Sequence, residues 1–134
     1  SRACQILVSG IEYTASLSAR YQRPFEFTII PVDNLFKIVD TVPYPDLAPP
    51  EQLNNHPPVN ADSVVLDPFA RQWYIIDFDL IPDLGTVKLL SGPLVLSFDA
   101  VGNAPLADST YVMAAGGQSK TILVNGISGS ISIQ

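Results

Sequence analysis

Hydrophobic positions along this chain follow a helical spacing first and a strand spacing afterwards. In residues 2–22, RACQILVSGIEYTASLSARYQ, the positions Ala3, Leu7, Ile11, Thr14 and Ser18 recur at intervals of three and four. Ile6, Tyr13 and Leu17 flank that stripe, so the segment reads as one amphipathic helix. Pro24 ends it, because proline disfavours helical geometry in the residue before it. Gly10 weakens its middle by about 1 kcal/mol relative to alanine. The apolar face needs a cover.

After Pro24 the period falls to two. Phe25, Phe27 and Ile29 alternate with Glu26, Thr28 and Ile30; LFKIVD follows across the turn PVDN, which predicts a hairpin. Residues 41–63 hold half of the chain's 12 prolines and cannot form a central strand or a stable helix. They read as a surface excursion within a single domain spanning 1–134. From residue 64 onward strands are expected at 71–80, 86–90, 94–99, 109–115, 119–125 and 128–134. Turns at Pro82–Gly85, Ser91–Pro93, Gly102–Asn103, Gly116–Gly117 and Asn125–Gly126 separate them. One helix followed by about eight strands predicts an α+β fold, the helix packed on an antiparallel β-meander.

Composition narrows the chemistry. Only 15% of the 134 residues are charged and the net charge is −6, which argues against general nucleic-acid binding. Arg20 and Arg23 are the nearest approach to a basic patch. Cys4 is the single cysteine, so no disulfide closes within the chain, and no Cys/His zinc spacing exists. His56, the single histidine, sits in the proline-rich NNHPPVN and reads as a solvated loop residue rather than a triad or zinc ligand. No stretch reaches the length of apolar sequence that a membrane span needs.

The stretch LVLSFDAVGN at 94–103 is the most suggestive. An EF-hand loop would need further acidic residues and a distal glutamate, which Asp99 lacks. Asp99 therefore reads as a turn former that accepts backbone hydrogen bonds, with Gly102 supplying a positive φ. Asp77, Asp79 and Asp83 form a second acidic group, so a structural calcium is one alternative. A carboxylate hydrolase using Asp77, Asp79 or Asp99 is another, and it requires two acids facing each other across a cleft. A third is a secreted glycan- or peptide-binding module using Trp73, Tyr74 and Tyr44.

The order of motifs resembles a known family. LVLSFDAVGNAP followed by STYVMAAGGQSKTILVNGISGSISI is similar to the C-terminal half of type IV pilin-like proteins, most of all the H-type minor pseudopilins of type II secretion. The residues that carry the likeness are Leu96, Phe98, Asp99, Gly102, Pro105, Lys120, Ile122, Val124, Asn125, Gly129, Ile131 and Ile133. LVSGIEYTASLSARYQRPFEFTI resembles the family's helix and first strand, and LDPFARQWYIIDF its central Asp-Pro hairpin. The resemblance implies a non-enzymatic structural subunit of a cell-envelope or extracellular filament, with neither cofactor nor metal. Its partners would be other pilin-like subunits, itself or a separate core-helix polypeptide, and membrane contact would come through an N-terminal hydrophobic helix that this sequence does not include. Subunit packing is expected near Ala3, Leu7, Gly10 and Ile11, where the competing expectation is that these residues pack only the head's own sheet. Some DNA-binding relatives carry arginines in the final strand; Ser128-Gly129-Ser130-Ile131-Ser132 carries none, so DNA is not expected as a partner.

Overall fold

A computed structural model describes residues 2–41, 56–84 and 86–134. Most of the proline-rich stretch, 42–55, lies outside the described residues. Helix α1 runs Arg2–Tyr21 and buries Ala3, Cys4, Leu7, Gly10, Ile11, Thr14, Leu17 and Ser18 along one face. That is the stripe expected from the spacing. Thr14 returns its hydroxyl to the Gly10 carbonyl at 2.7 Å, so its polar group is satisfied inside the apolar face. Gln22, at φ 55°, follows the last helical residue in the left-handed conformation common at helix ends.

Strands β1 (Phe25–Ile30) and β2 (Leu35–Asp40) form the expected hairpin, Phe25 opposite Asp40 and Ile30 opposite Leu35. Their alternation puts Phe25, Phe27, Ile29, Phe36 and Ile38 under α1. Further strands are β3 (Leu66–Asp67), β4 (Gln72–Trp73), β5 (Ile75–Asp77), β6 (Lys88–Ser91), β7 (Val95–Phe98), β8 (Ser109–Ala115), β9 (Gln118–Val124) and β10 (Ile131–Ile133). All pairings between these strands are antiparallel. They fall into two four-stranded sheets, β5-β2-β1-β7 and β10-β9-β8-β6, plus the small pair β3-β4.

Two local expectations need correction. The run 71–80 is not one strand. It bends at Tyr74, whose N–H donates to Val65 O at 2.7 Å while its carbonyl accepts from Ile38 N–H at 3.2 Å. That double engagement ties β4 to β3 and sends β5 onto β2, after which residues 78–80 form a single 3-10 turn. Ser91–Pro93 is likewise not a hairpin turn: β6 pairs with β8 and β7 with β1, so this segment carries the chain from one sheet to the other.

The two sheets share one core. Phe27 of β1 lies 4.8 Å from the Phe36 ring and meets Tyr111 of β8 edge-on at 5.7 Å. Gly10 lets α1 approach this aromatic layer, since a Cβ there would sit 2.6 Å from Phe36 Cε1 and 3.0 Å from Phe27 Cε1. Gly10→Val should therefore destabilise by about 2 kcal/mol, despite valine's better helix propensity, because the rings are held by the sheet. Urea unfolding followed by circular dichroism measures it.

Tyr111 is fully buried, and no described residue hydrogen-bonds its hydroxyl. Burial raises its ionisation well above the usual tyrosine range. A lone hydroxyl in an apolar core gives up its water without replacement, so Tyr111→Phe should be stabilising by about 1 kcal/mol in the same assay.

Candidate functional site

Two Asx turns, one at the end of each sheet, build a surface groove. In the first, Asp99 Oδ1 accepts from Val101 N–H at 3.0 Å and Asn103 N–H at 2.9 Å, while Asp99 O accepts from Gly102 N–H at 2.9 Å. Gly102 sits at φ 88° against α1: a Cβ there would lie 2.9 Å from Ala15 O and 3.2 Å from Ala19 Cβ. The glycine thus meets two demands at once, a left-handed turn and close contact with helix backbone.

The second turn follows β9. Asn125 Oδ1 accepts from the Ile127 and Ser128 N–H groups, each at 3.0 Å, and Asn125 O accepts from Gly129 N–H at 2.8 Å. Asp108 fixes this loop from below by accepting from Gly126 N–H at 2.9 Å.

Between the turns and the C-terminal half of α1 lies a groove of about 460 Å³, walled by Glu12, Ala15 and Ala19 and floored by Phe98, Ala104 and Val124. A second hollow of about 630 Å³ continues it past Pro24, Pro105 and Leu106, sharing Phe98, Asn103, Ala104, Gly126 and Ile127. Apolar side chains stand out along this surface: Ile127 is 90% exposed, Leu106 85% and Val101 70%.

Asp77, Asp79 and Asp99 are engaged in holding backbone and side chains. Asp77 Oδ1 accepts from Asp79 N–H at 3.0 Å; Asp79 Oδ1 accepts from Asn34 Nδ2 at 2.9 Å and Lys88 Nζ at 3.0 Å. The Asn103 and Val101 N–H groups hold the Asp99 carboxyl below its ordinary value, and Asn34 and Lys88 do the same for Asp79. Because these folded-state values lie below the unfolded ones, the stabilisation is present above about pH 4 and is lost as pH falls through the depressed values. Asp99→Asn removes one titration while keeping an acceptor oxygen. Its thermal midpoint should fall less steeply than the wild type's between about pH 5 and pH 2, as differential scanning fluorimetry can measure.

Among the described residues no group of three or more His, Cys, Asp or Glu is placed to hold a metal ion. The groove has one carboxylate on its wall, Glu12, and its continuation has one, Asp99.

The other sequence candidates lie elsewhere. Ala3, Leu7, Gly10 and Ile11 are all buried on the face of α1 that packs on the protein's own sheet; the exposed positions of α1 are Arg2, Gln5, Ser9, Glu12, Ser16, Ala19 and Arg20. Cys4 is buried on the same inner face. Tyr44 falls outside the described residues. Trp73 is half-buried rather than an open platform, and Tyr74 turns inward to stack on Tyr13 at 5.5 Å. His56 lies within electrostatic reach of Arg23 and Asp40; burial, then Arg23, lowers its pKa, against an opposing pull from Asp40.

Two positions show their surroundings only in the fold. Phe69 is 94% exposed, and Asn34 is buried while binding both sheets. The PVDN turn was a usable signal for Asn34, since asparagine tolerates the left-handed conformation it adopts there.

A single helix laid on two antiparallel sheets, with an Asp turn packed against the helix, is a type IV pilin-like fold. The chain is similar to the crystal structure of the type IV minor pilin FimU of Pseudomonas aeruginosa strain PAO1, with TM-score 0.60 and 14% identity over 99% of this chain and 86% of that one. In a second crystal form of FimU the TM-score is 0.58, again at 14% identity, covering 99% and 90%. No family model matches the sequence, and no curated protein matches it.

Proposed function

We propose that this chain is the head of a pilin-like structural subunit and acts by packing against neighbouring subunits rather than by catalysis. The observation that carries the reading is the helix-on-sheet fold, similar to a type IV minor pilin over 99% of the chain. The assembly is a cell-envelope or extracellular filament of the type IV pilus or type II secretion kind. The motif likeness to H-type minor pseudopilins favours a minor subunit. Partners are other pilin-like chains, copies of itself or a separate core-helix polypeptide.

Contacts between subunits fall to the outward face of α1 and the groove rimmed by Val101, Leu106 and Ile127, since the small residues of the inner face are occupied by the head's own core. Burying such aliphatics stabilises at about 25 cal/mol per Å² before the cost of association. Among the described residues no helix is long and apolar enough to cross a membrane. In this proposal any membrane anchor is a segment preceding Ser1.

The mature N-terminus of the protein from its native cells tests this. N-terminal sequencing and intact mass should reveal an apolar helix of about 20 residues preceding Ser1. A mature chain that starts near Ser1 after a conventional cleaved secretion signal would overturn the anchored-subunit reading and favour a secreted binding module.

A further inference from the structure

Away from the groove, α1 and the β3–β4 hairpin enclose a cleft of about 330 Å³ lined by Ser9, Tyr13, Asp67, Pro68, Phe69 and Tyr74. Tyr13 from the helix and Tyr74 from the hairpin end stack nearly parallel, 19° apart. Phe69 and Pro68 extend the aromatic and apolar wall outward, and Phe69 has almost no packing of its own. Asp67 sits at the hairpin. Its Oδ1 accepts from Phe69 N–H at 2.9 Å and Ala70 N–H at 3.3 Å, while no described residue donates to Oδ2.

We propose that this cleft binds an arginine side chain presented on the surface of a partner polypeptide. Its guanidinium would lie against the aromatic wall and donate to Asp67 Oδ2. A guanidinium is flat, stacks on aromatic faces and is weakly hydrated, which suits a narrow ring-lined cleft better than a compact ammonium does. Charge complementarity points the same way. The cleft wall carries one carboxylate and no cation, and the whole chain has net charge −6. Burial is the main cause that raises the ionisation of Tyr13, and of Tyr74 to about 12; Asp67 adds to it in each case, while at Tyr13 the neighbouring Tyr21 also raises it and Arg20 opposes it. Ser9, Tyr13 and Tyr74, which line the same cleft, each carry a hydroxyl oxygen able to accept from the remaining guanidinium hydrogens.

The test uses N-acetyl-arginine amide, its uncharged isostere N-acetyl-citrulline amide, and maltotriose as a neutral sugar, each titrated while the aromatic carbon NMR signals are followed. The arginine probe should shift Tyr13, Phe69 and Tyr74, and the citrulline probe should bind at least about fivefold more weakly. Asp67→Asn keeps the Oδ1 acceptor that the turn needs, and Phe69→Ala removes a ring that supports nothing else. Each should weaken arginine binding by about fivefold or more with the thermal midpoint unchanged. Equal binding of citrulline and arginine, shifts that map outside the cleft, variants that bind as the wild type does, or maltotriose occupying the cleft in place of arginine would each overturn the proposal.

Discussion

Arg23→Ala should lower stability by about 3–5 kcal/mol, the largest effect expected of a single polar substitution in this protein. Asp40, the last residue of β2, is 1% exposed, and its carboxylate is held by a bidentate guanidinium: Arg23 Nε donates to Oδ1 at 3.1 Å and Nη2 to Oδ2. Arg23 is itself largely covered, lying over the Tyr21 ring at 5.7 Å and the Phe25 ring at 5.2 Å. The pair ties the segment between α1 and β1 to the far end of the hairpin. Removing the guanidinium leaves a buried carboxylate without its counter-charge, and this explains the size of the effect better than any net attraction within the pair does. Arg23→Lys should recover only part of the loss, since an ammonium cannot reproduce the two parallel bonds. The double substitution Arg23→Met with Asp40→Leu should be much milder than Arg23→Ala. Chemical denaturation of the four proteins gives the comparison; a double variant as unstable as the single one would contradict it.

Asn34→Ala should cost about 3–4 kcal/mol for a different reason. Asn34 lies between β1 and β2, only 4% exposed, with φ 55° and ψ 43°. Its Nδ2 donates to Val87 O at 2.8 Å and Asp79 Oδ1 at 2.9 Å, and its Oδ1 accepts from Leu89 N–H at 2.7 Å. Its own carbonyl accepts from Phe78 N–H at 3.1 Å. One side chain at the turn of the first sheet thus satisfies the backbone of Val87 and of Leu89 in β6 of the second. Alanine would leave the Val87 carbonyl and the Leu89 N–H without partners and also place a Cβ residue with no local hydrogen bond in the left-handed region. Asn34→Gly removes the same side-chain bonds without the backbone strain, so it should be less destabilising than alanine by about 1 kcal/mol. Equal loss in both variants would show that the conformation is unimportant. A loss under about 1 kcal/mol would show that the clasp is.

These two residues mark the boundary of what the sequence discloses. Period and alternation depend only on neighbours along the chain, so the α1 stripe and the Phe25, Phe27, Ile29 face were legible, and both lie in the core as expected. The turns at Asp99 and Asn125 were legible for the same reason, since an Asx turn needs only its own few residues. That the two turns share a groove against α1 was not, because it follows from pairings between strands far apart in sequence. The bend at Tyr74 was hidden because RQWYIIDFDL is apolar enough to read as one strand; only the bonds to Val65 and Ile38 divide it. By propensity Gly10 is a weak point of the helix, yet its use is steric and depends on two phenylalanines from the sheet. For the exposed candidates, a helix stripe cannot say whether its cover is the same chain or another one. Ala3, Leu7, Gly10 and Ile11 prove to be covered by the same chain.

Should this head travel on a filament, it must be present where filaments are and absent when they are not assembled. The direct measurement is quantitative mass spectrometry of surface filaments sheared from the native cells, compared with the same fraction from cells in which filament assembly is blocked. The account predicts peptides of this chain in the sheared fraction, co-purifying with pilin-like subunits, and their loss from that fraction in the assembly-deficient cells. Recovery of the chain as a free secreted protein at equal levels in both, with no pilin-like partner, would contradict it.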